Sequence, residues 1–251
     1  MGEGKTPGDL PPVLAGASHP PSPSPAQYEA SPAAVVLVHG LWMTGLEMAL
    51  LRRRLRRCGF LPCQFSYPTV RAPVVENAAR LHGFLQRVSA PVVHFVGHSL
   101  GGLVIRRFFH DHPPRRPGRI VTLGTPHQGS MVARRLARHG WGRRLLGRSI
   151  EGGLLGDLPP WSGTRELGVI AGNRNLGVGL LMPGLARPND GTVAVAETRL
   201  PEAADHVVLP ASHMGLLISS AVAQLTCVFL RTGRFLRGPA ESGPSERKFI
   251  R

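Results

Sequence analysis

The chain is poor in cysteine and has no long apolar segment near its start, and each absence excludes a class of protein. Its 251 residues contain three cysteines, Cys58, Cys63 and Cys227. Such an odd, sparse set without zinc-type spacing argues against a disulfide framework and against a zinc site. The residues after Met1 lack the apolar core of a signal peptide. We therefore expect a protein of the cytoplasm, with no metal or organic cofactor.

Lysine is scarce as well, yet the chain is strongly basic because it is rich in arginine. Lys5 and Lys248 are the only lysines, while the formal net charge is +15. The arginines gather at 52–57, at 115–119 and at 134–148. Such a surface suits anionic lipid headgroups or nucleic acid, although a solvated face with a bias toward arginine explains it as well. Since no nucleic-acid motif is present, we do not expect a nucleic-acid partner. Peripheral contact with an anionic inner-membrane surface stays open.

Composition separates a central domain from two tails. Residues 1–31 are rich in Pro, Ser, Gly and Ala and predict a disordered tail, and residues 238–251 predict a second, flexible tail. The remaining segment, 32–237, is long enough for a single domain with a substantial core. Within it, residues 130–165 form a long connection between two candidate strands. This predicts either a cap or lid over a site or a plain helical connection packed on the sheet.

Between the tails, apolar runs typical of strands alternate with amphipathic patterns typical of helices. The candidate strands are 35–38, 60–66, 92–96, 119–123, 167–171 and 206–209. Several of them are continuous apolar runs, as expected for parallel strands covered on both faces. The alternation predicts an α/β fold with a mostly parallel sheet.

Candidate helices fill the intervals between these strands. In 45–57, four leucines form an apolar stripe opposite the arginines, and 99–110 has the same amphipathic pattern. Residues 214–230 are almost free of charge. Since this run is at the short limit for crossing a membrane and contains Gly, Ser and Gln, we expect a buried helix that closes the domain.

The most informative segment of the chain surrounds Ser99. It consists of an apolar run, the turn Gly97-His98-Ser99-Leu100-Gly101 and an amphipathic run. A strand that turns sharply into a helix holds such a serine in a strained backbone, with its hydroxyl exposed above the sheet. The flanking glycines are needed because a Cβ at either position would clash in so tight a turn. The pattern is that of a nucleophile elbow and predicts a hydrolytic enzyme with Ser99 as its nucleophile.

A serine nucleophile needs a histidine to accept its proton, and two histidines compete for that role. His213 follows the strand 206–209 and the break at Pro210, so it should emerge at the carboxyl edge of the sheet, as Ser99 does. His206 begins the same strand and should lie about 10 Å or more from the reacting side. We therefore expect His213 to be the base and His206 to have a capping or surface role.

The acid that orients this histidine has three candidates. Asp190 lies in the turn Pro188-Asn189-Asp190-Gly191-Thr192-Val193, after the fifth candidate strand. Asp205 adjoins His206 and shares its position at the wrong edge, and Asp157 lies in the candidate cap. We favour Asp190 as the acid, although an ordinary Asx turn would suit the same sequence.

An oxyanion hole needs backbone N–H groups at the same edge of the sheet. One should belong to Leu100, which follows the nucleophile at a helix N-terminus. The other should come from the loop after the first candidate strand, where we expect Leu41 and keep Trp42 as the alternative. His39, Trp42 and His127 are candidate pocket residues, and both histidines also suit purely structural roles.

Five short motifs follow one another in the order found in a known superfamily. They are Val38-His39-Gly40, Gly97-His98-Ser99-Leu100-Gly101-Gly102, Gly124-Thr125-Pro126-His127-Gln128-Gly129-Ser130, Asp190-Gly191-Thr192-Val193 and Ser212-His213. On these motifs the chain, from about 33 to 231, resembles the α/β-hydrolase superfamily. Within it, the chain resembles bacterial lipase- and esterase-like members related to the GPI inositol-deacylases. The resemblance implies the α/β-hydrolase fold and a triad of Ser99, Asp190 and His213 in the superfamily's chain order.

The chain departs from this superfamily at one place. Many relatives have a β-hairpin before the first parallel strand, whereas the segment before Val35 is proline-rich and cannot supply one. We therefore expect a reduced sheet of about six strands with helices on both faces.

The motifs together predict a serine hydrolase that cleaves carboxylic esters through an acyl-enzyme. A cap that is both apolar and cationic would suit acyl lipids or similar apolar esters as small-molecule substrates. Acyl transfer, or cleavage of an amide or thioester, would use the same triad, and a binding protein could keep the fold without turnover. The acyl-chain length, the headgroup and the oligomeric state stay open.

Overall fold

A computed structural model of the protein describes residues 32–113, 115–161, 163, 165–177 and 184–235. The two predicted tails, 1–31 and 238–251, lie outside these residues. The described residues form a six-stranded sheet in the order β2-β1-β3-β4-β5-β6, and every neighbouring pair is parallel. The strands are β1 (Ala34–Val38), β2 (Leu61–Phe65), β3 (Val93–His98), β4 (Ile120–Leu123), β5 (Leu167–Gly172) and β6 (Asp205–Leu209).

Helices connect the strands and cover both faces of the sheet. The α-helices are α1 (Ala49–Arg57), α2 (Val74–Leu85), α3 (Leu100–Asp111), α4 (Met131–Leu136), α5 (Gly140–Leu146), α6 (Gly215–Ile218) and α7 (Ser220–Thr232). Short 3₁₀ turns occupy Leu46–Met48, Gly147–Ile150 and Val195–Thr198. The predicted α/β fold and the reduced sheet are therefore confirmed, and each strand end lies within two residues of its predicted position.

The core has two halves because side chains alternate across each strand. Along β1, Val36 and Val38 belong to the apolar cluster on one face of the sheet, where α2 and α3 pack. Val35 and Leu37 belong to the cluster on the other face, where α1 and α7 pack. All four side chains are fully buried, and each such burial contributes about 1.5–3 kcal/mol. The continuous apolar runs are thus those of strands covered on both faces.

The first helix buries less of its leucine stripe than the pattern predicts. Leu51 and Leu55 are fully buried, whereas Leu46 and Leu50 are exposed. Leu46 lies in the 3₁₀ turn, where the shorter repeat breaks the α-helical spacing. Leu50 is turned by about 100° from Leu51 on the helix and faces solvent. Two apolar side chains therefore stay on the surface.

The segment 214–230 contains two helices rather than the single closing helix that we expected. The chain breaks at Ser219, whose side-chain oxygen accepts a hydrogen bond from the N–H of Val222 and caps α7. Such local bonding is why serine favours helix starts over helix interiors. In the described part of the chain, no helix is long and apolar enough to cross a membrane.

The expectation that no cysteines are paired is wrong. Cys58, at the end of α1, and Cys227, on α7, form a disulfide with their Cα atoms 6.4 Å apart. The two residues are 169 positions apart in the sequence, and they meet because α1 and α7 pack side by side on one face of the sheet. Cys63 is a free thiol. The cysteines therefore give no support to the cytoplasmic location that we expected.

Candidate active site

Ser99 lies at the sharp turn between β3 and α3. Its backbone has φ 52° and ψ −121°, a conformation that costs a residue other than glycine about 1–3 kcal/mol. A Cβ on Gly97 would lie 2.7 Å from the backbone of Gly102, and one on Gly101 would lie 2.1 Å from the carbonyl oxygen of Val38. Close backbone approach therefore requires these glycines, and the turn puts Ser99 at the carboxyl edge of the sheet.

His213 and Asp190 meet at the same edge, in the loops that follow β6 and β5. Nδ1 of His213 lies 2.7 Å from Oδ2 of Asp190, and because a carboxylate can only accept, this nitrogen carries the proton. The backbone N–H of His213 also donates to the backbone oxygen of Asp190 at 2.8 Å. With Nδ1 protonated, Nε2 of the neutral ring is left as a proton acceptor.

Asp190 is fully buried, and its two carboxylate oxygens have different partners. Oδ1 accepts from the backbone N–H groups of Thr192 at 2.9 Å and Val193 at 2.7 Å, whereas Oδ2 contacts His213. The Asx turn and the histidine contact are therefore compatible, since each uses its own oxygen. A Cβ on Gly124 would lie 3.0 Å from Oδ2 of Asp190, so this glycine leaves room for the pair.

A cavity of about 240 Å³ lies at this edge, and Ser99 and His213 both line it. The rest of its lining is mostly apolar and consists of Leu41, Trp42, Met43, Pro126, Ser130, Val132, Ala133, Leu136, Leu146, Leu154, Leu176, Gly177, Thr192, Val193 and Met214. The segment 130–165, predicted as a cap or connection, thus supplies one wall of the cavity through α4, α5 and the turn that follows. The arrangement can hold an apolar group beside a serine and a histidine.

The candidate oxyanion donors differ in whether their N–H groups are already bonded. The N–H of Trp42 donates to Oγ1 of Thr69 at 3.2 Å. Leu41 lines the cavity, and no hydrogen bond from its N–H occurs within the described ranges. Leu100 begins α3, so its N–H has no acceptor within the helix. Leu41 and Leu100 are therefore the available pair.

Of the candidate pocket residues, Trp42 lines the cavity, whereas His39 and His127 are absent from its described lining. The His39 ring stacks on that of Tyr67 with centroids 4.5 Å apart. Nε2 of His127 lies 3.0 Å from Oγ1 of Thr122. Burial lowers the pKa of both histidines, which keeps them neutral. Their contacts suit the structural role that we considered as the alternative.

The other candidates for the acid and the base, Asp205, Asp157 and His206, lie away from the cavity. Nε2 of His206 lies 3.0 Å from Oγ1 of Thr198, and the carboxylates of Asp205 and Asp157 accept from backbone N–H groups. As far as the chain is described, none of the three lines the cavity. The described residues also contain no cluster of His, Cys, Asp and Glu that could hold a metal ion.

Two residues that the sequence did not single out contact this site. Nε2 of the fully buried His98 lies 3.1 Å from the backbone oxygen of His213. Burial, and then the nearby His213, lower the pKa of His98 and keep it neutral. Thr69 accepts the N–H of Trp42, as described above. Each contact joins distant parts of the chain, so no local pattern could have indicated it.

Comparison with known proteins relates the chain to a family. A sequence model of the alpha/beta hydrolase family matches residues 35–239, which is most of the chain. No curated protein matches it in sequence.

Solved structures share the fold at low sequence identity. The mature form of a lipase from Bacillus licheniformis is 23% identical over 86% of this chain and 96% of that one, with a TM-score of 0.65. A metagenomic carboxyl esterase is 18% identical over 88% of this chain and 80% of that one, with a TM-score of 0.59. A phospholipase from Legionella pneumophila is 15% identical over 78% of this chain and 55% of that one, with a TM-score of 0.55. At these identities, the likeness concerns the fold alone.

Proposed function

The chain belongs to the alpha/beta hydrolase family, and we propose that it is a serine hydrolase that cleaves carboxylic esters. One observation carries the proposal, namely the 2.7 Å contact between His213 and Asp190 beside the cavity that Ser99 lines. This chemistry needs three groups: a serine on a strained turn, a histidine with a free acceptor nitrogen, and an acid that orients the histidine.

In the proposed mechanism, Ser99 attacks the ester carbonyl while Nε2 of His213 accepts its hydroxyl proton. His213 then gives that proton to the leaving alcohol, and the acyl group stays on Ser99. Water, deprotonated by His213, attacks the acyl-enzyme and releases the acid. Asp190 holds the imidazole in place and stabilises its positive charge. The N–H groups of Leu41 and Leu100 stabilise the oxyanion.

The walls of the cavity favour an ester with an apolar acyl group. Its volume of about 240 Å³ is below the roughly 300–1,000 Å³ of pockets that enclose drug-sized ligands. A short or medium acyl chain therefore fits better than a long one. Acyl lipids with long chains would require the segment 130–165 to move, as a lid over the site would.

Exposed apolar side chains at the cavity support contact with an anionic membrane surface. Trp42, Leu176 and Met214 line the cavity and are each about half or more exposed. Ile218 is also exposed, and Arg54 donates to its backbone oxygen. Apolar side chains next to arginines suit a lipid surface with negative headgroups. We expect the protein to sediment with vesicles that contain phosphatidylglycerol and to be released by salt. Equal sedimentation with neutral vesicles would contradict a role for the arginines.

The test of the function is hydrolysis of p-nitrophenyl butyrate, octanoate and palmitate. We expect Ser99→Ala to lower kcat at least about 10³-fold, since it removes the nucleophile. Ser89→Ala, at an exposed site away from the cavity, is the matched control and should keep wild-type rates. A fluorophosphonate probe should label the wild type and not Ser99→Ala. Turnover that survives in Ser99→Ala would overturn the mechanism, and product analysis with added alcohols separates hydrolysis from acyl transfer.

A further inference from the structure

We propose that Thr69 is a positioning residue that decides which backbone N–H enters the oxyanion hole. The inference rests on the proposed serine mechanism. The loop after β1 contains two neighbouring candidate donors, Leu41 and Trp42, and the Thr69 hydroxyl is bonded to one of them. Thr69 lies in the loop after β2, and β2 is the strand next to β1 in the sheet.

The backbone of Trp42 is strained and needs contacts to stay in place. Its φ is 60°, in the left-handed region that bulky residues rarely adopt. The indole N–H donates to the carbonyl oxygen of Leu145 at 3.1 Å, and the backbone N–H donates to Oγ1 of Thr69 at 3.2 Å. The first bond holds a half-exposed ring. The bond to Thr69 holds the strained backbone itself.

The loop that carries Thr69 is anchored on both sides. Tyr67 donates its hydroxyl to the backbone oxygen of His39 at 2.7 Å and stacks on the His39 ring. The backbone oxygen of Val70 accepts from the N–H of Arg148 at 2.8 Å. Thr69 itself is only 6% exposed, so water has little access to compete for its hydroxyl. It therefore presents a fixed acceptor to the loop after β1.

The backbone amides of Leu41 and Trp42 therefore have different roles. The N–H of Trp42 is committed to Thr69, whereas the N–H of Leu41 is left for the substrate. Without the Thr69 hydroxyl, a partly buried N–H loses its partner and the strained turn loses its backbone contact. The turn then relaxes and the N–H of Leu41 moves. Oxyanion donors act at 2.7–3.1 Å, and a misplacement of about 1 Å can cost about 10²-fold.

The experiment compares Thr69→Val, which removes the hydroxyl, with Thr69→Ser, which keeps it. We expect Thr69→Val to lower kcat by about ten- to a hundredfold with KM within about twofold of wild type. A boronic acid inhibitor, whose tetrahedral oxygen occupies the oxyanion position, should lose affinity by the same factor. Thr69→Ser should keep most of the activity. A purely structural role would lower the melting temperature without this split between kcat and KM.

Other outcomes separate failure of the inference from failure of the function. If Ser99→Ala is inactive and Thr69→Val keeps wild-type kcat, the inference is overturned and the mechanism stands. A higher kcat in Thr69→Val would mean that the freed N–H of Trp42 is the donor, which also overturns it. Turnover in Ser99→Ala overturns the mechanism and the inference together. If Thr69→Val does not fold, the same kinetic comparison is made between Thr69→Ala and Thr69→Ser.

Discussion

The imidazole of His98 lies against that of His213, with ring centroids 4.7 Å apart, and its Nε2 lies 3.1 Å from the His213 backbone oxygen. Because a carbonyl only accepts, Nε2 of His98 carries the proton. The residue before Ser99 thus holds the loop of the proposed base, and its low pKa keeps a second positive charge away from His213.

Replacing His98 should therefore affect the rate through His213. We expect His98→Leu to lower kcat/KM by about tenfold or more, because the His213 loop loses a hydrogen bond and shifts. His98→Gln can still donate from its side-chain amide and should retain more activity. Ester hydrolysis by the two variants measures the difference, and equal rates would show that the hydrogen bond has no role.

Replacing Asp190 by Asn should remove most of the activity. Oδ1 of the asparagine would still accept from the backbone N–H groups of Thr192 and Val193, so its NH₂ group would take the place of Oδ2. An NH₂ group can only donate, so the ring proton of His213 would move from Nδ1 to Nε2 and the base would be in the wrong tautomer. A fall in kcat of about 10³- to 10⁴-fold is expected. Asp157→Asn, whose carboxylate accepts from the N–H of Gly152, is the control. A small effect of Asp190→Asn would exclude Asp190 as the acid.

The stability of the protein should fall in acid because His94 is buried in its neutral form. Burial, and then the charges of Arg119 and Arg165, lower its pKa from 6.5 to about 3. Between these values the unfolded chain binds a proton that the folded chain does not, so the free energy of unfolding decreases as the pH falls through this window. The slope from one such group is at most about 1.4 kcal/mol per pH unit.

The measurement is urea unfolding of wild type and His94→Asn from about pH 7 to pH 5. Oδ1 of the asparagine can take the place of Nδ1, which accepts from the N–H of Arg119, and it does not titrate. The variant should therefore show the shallower decline. Parallel pH profiles of the two proteins would contradict the assignment.

Enlarging the cavity should shift the preference toward longer acyl chains. Leu136, on α4, lines the cavity and is 6% exposed. We expect Leu136→Ala to raise the rate on p-nitrophenyl palmitate relative to butyrate, at a cost of about 2–5 kcal/mol in the free energy of unfolding. Leu81→Ala removes a fully buried leucine of the same core cluster that does not line the cavity. It should cost similar stability, and a matching shift in its chain-length profile would refute the cavity explanation.

The disulfide between Cys58 and Cys227 should stabilise the fold. Reduction, or Cys58→Ser, is expected to lower the free energy of unfolding by about 2–4 kcal/mol because the unfolded chain is less constrained. Cys63→Ser changes the free thiol and should have little effect. Urea unfolding with and without reductant tests this. Three free thiols in the denatured, unreduced protein would show that the bond is not formed.

The strands and the Ser99 turn were predictable because they depend on neighbours in the sequence. A strand covered on both faces must be largely apolar, and β1, β3, β4 and β5 are therefore mostly apolar runs that are visible without a structure. The turn at Ser99 needs Gly97 and Gly101 within a few positions, since backbone passes close to both. Strand direction then placed His213 and Ser99 at one edge, and His206 away from it.

Other features depended on how helices pack on the sheet, and no pattern within the sequence indicated them. Arg119, counted among the surface arginines, is 5% exposed and lies 2.5 Å from Glu166. The sequence favoured Leu41 over Trp42 as the N–H donor but left Trp42 as an alternative, and only the structure places the N–H of Trp42 on Thr69.

The sequence by itself determined the parallel sheet, the family and the strained turn of Ser99, because each of these depends on periodicity or on residues a few positions apart. Only the tertiary structure decided the partners of Asp190, the pairing of Cys58 with Cys227, and the contacts of His98 and Thr69. Such contacts join residues far apart in the chain, whose meeting depends on packing geometry that side-chain periodicity does not encode.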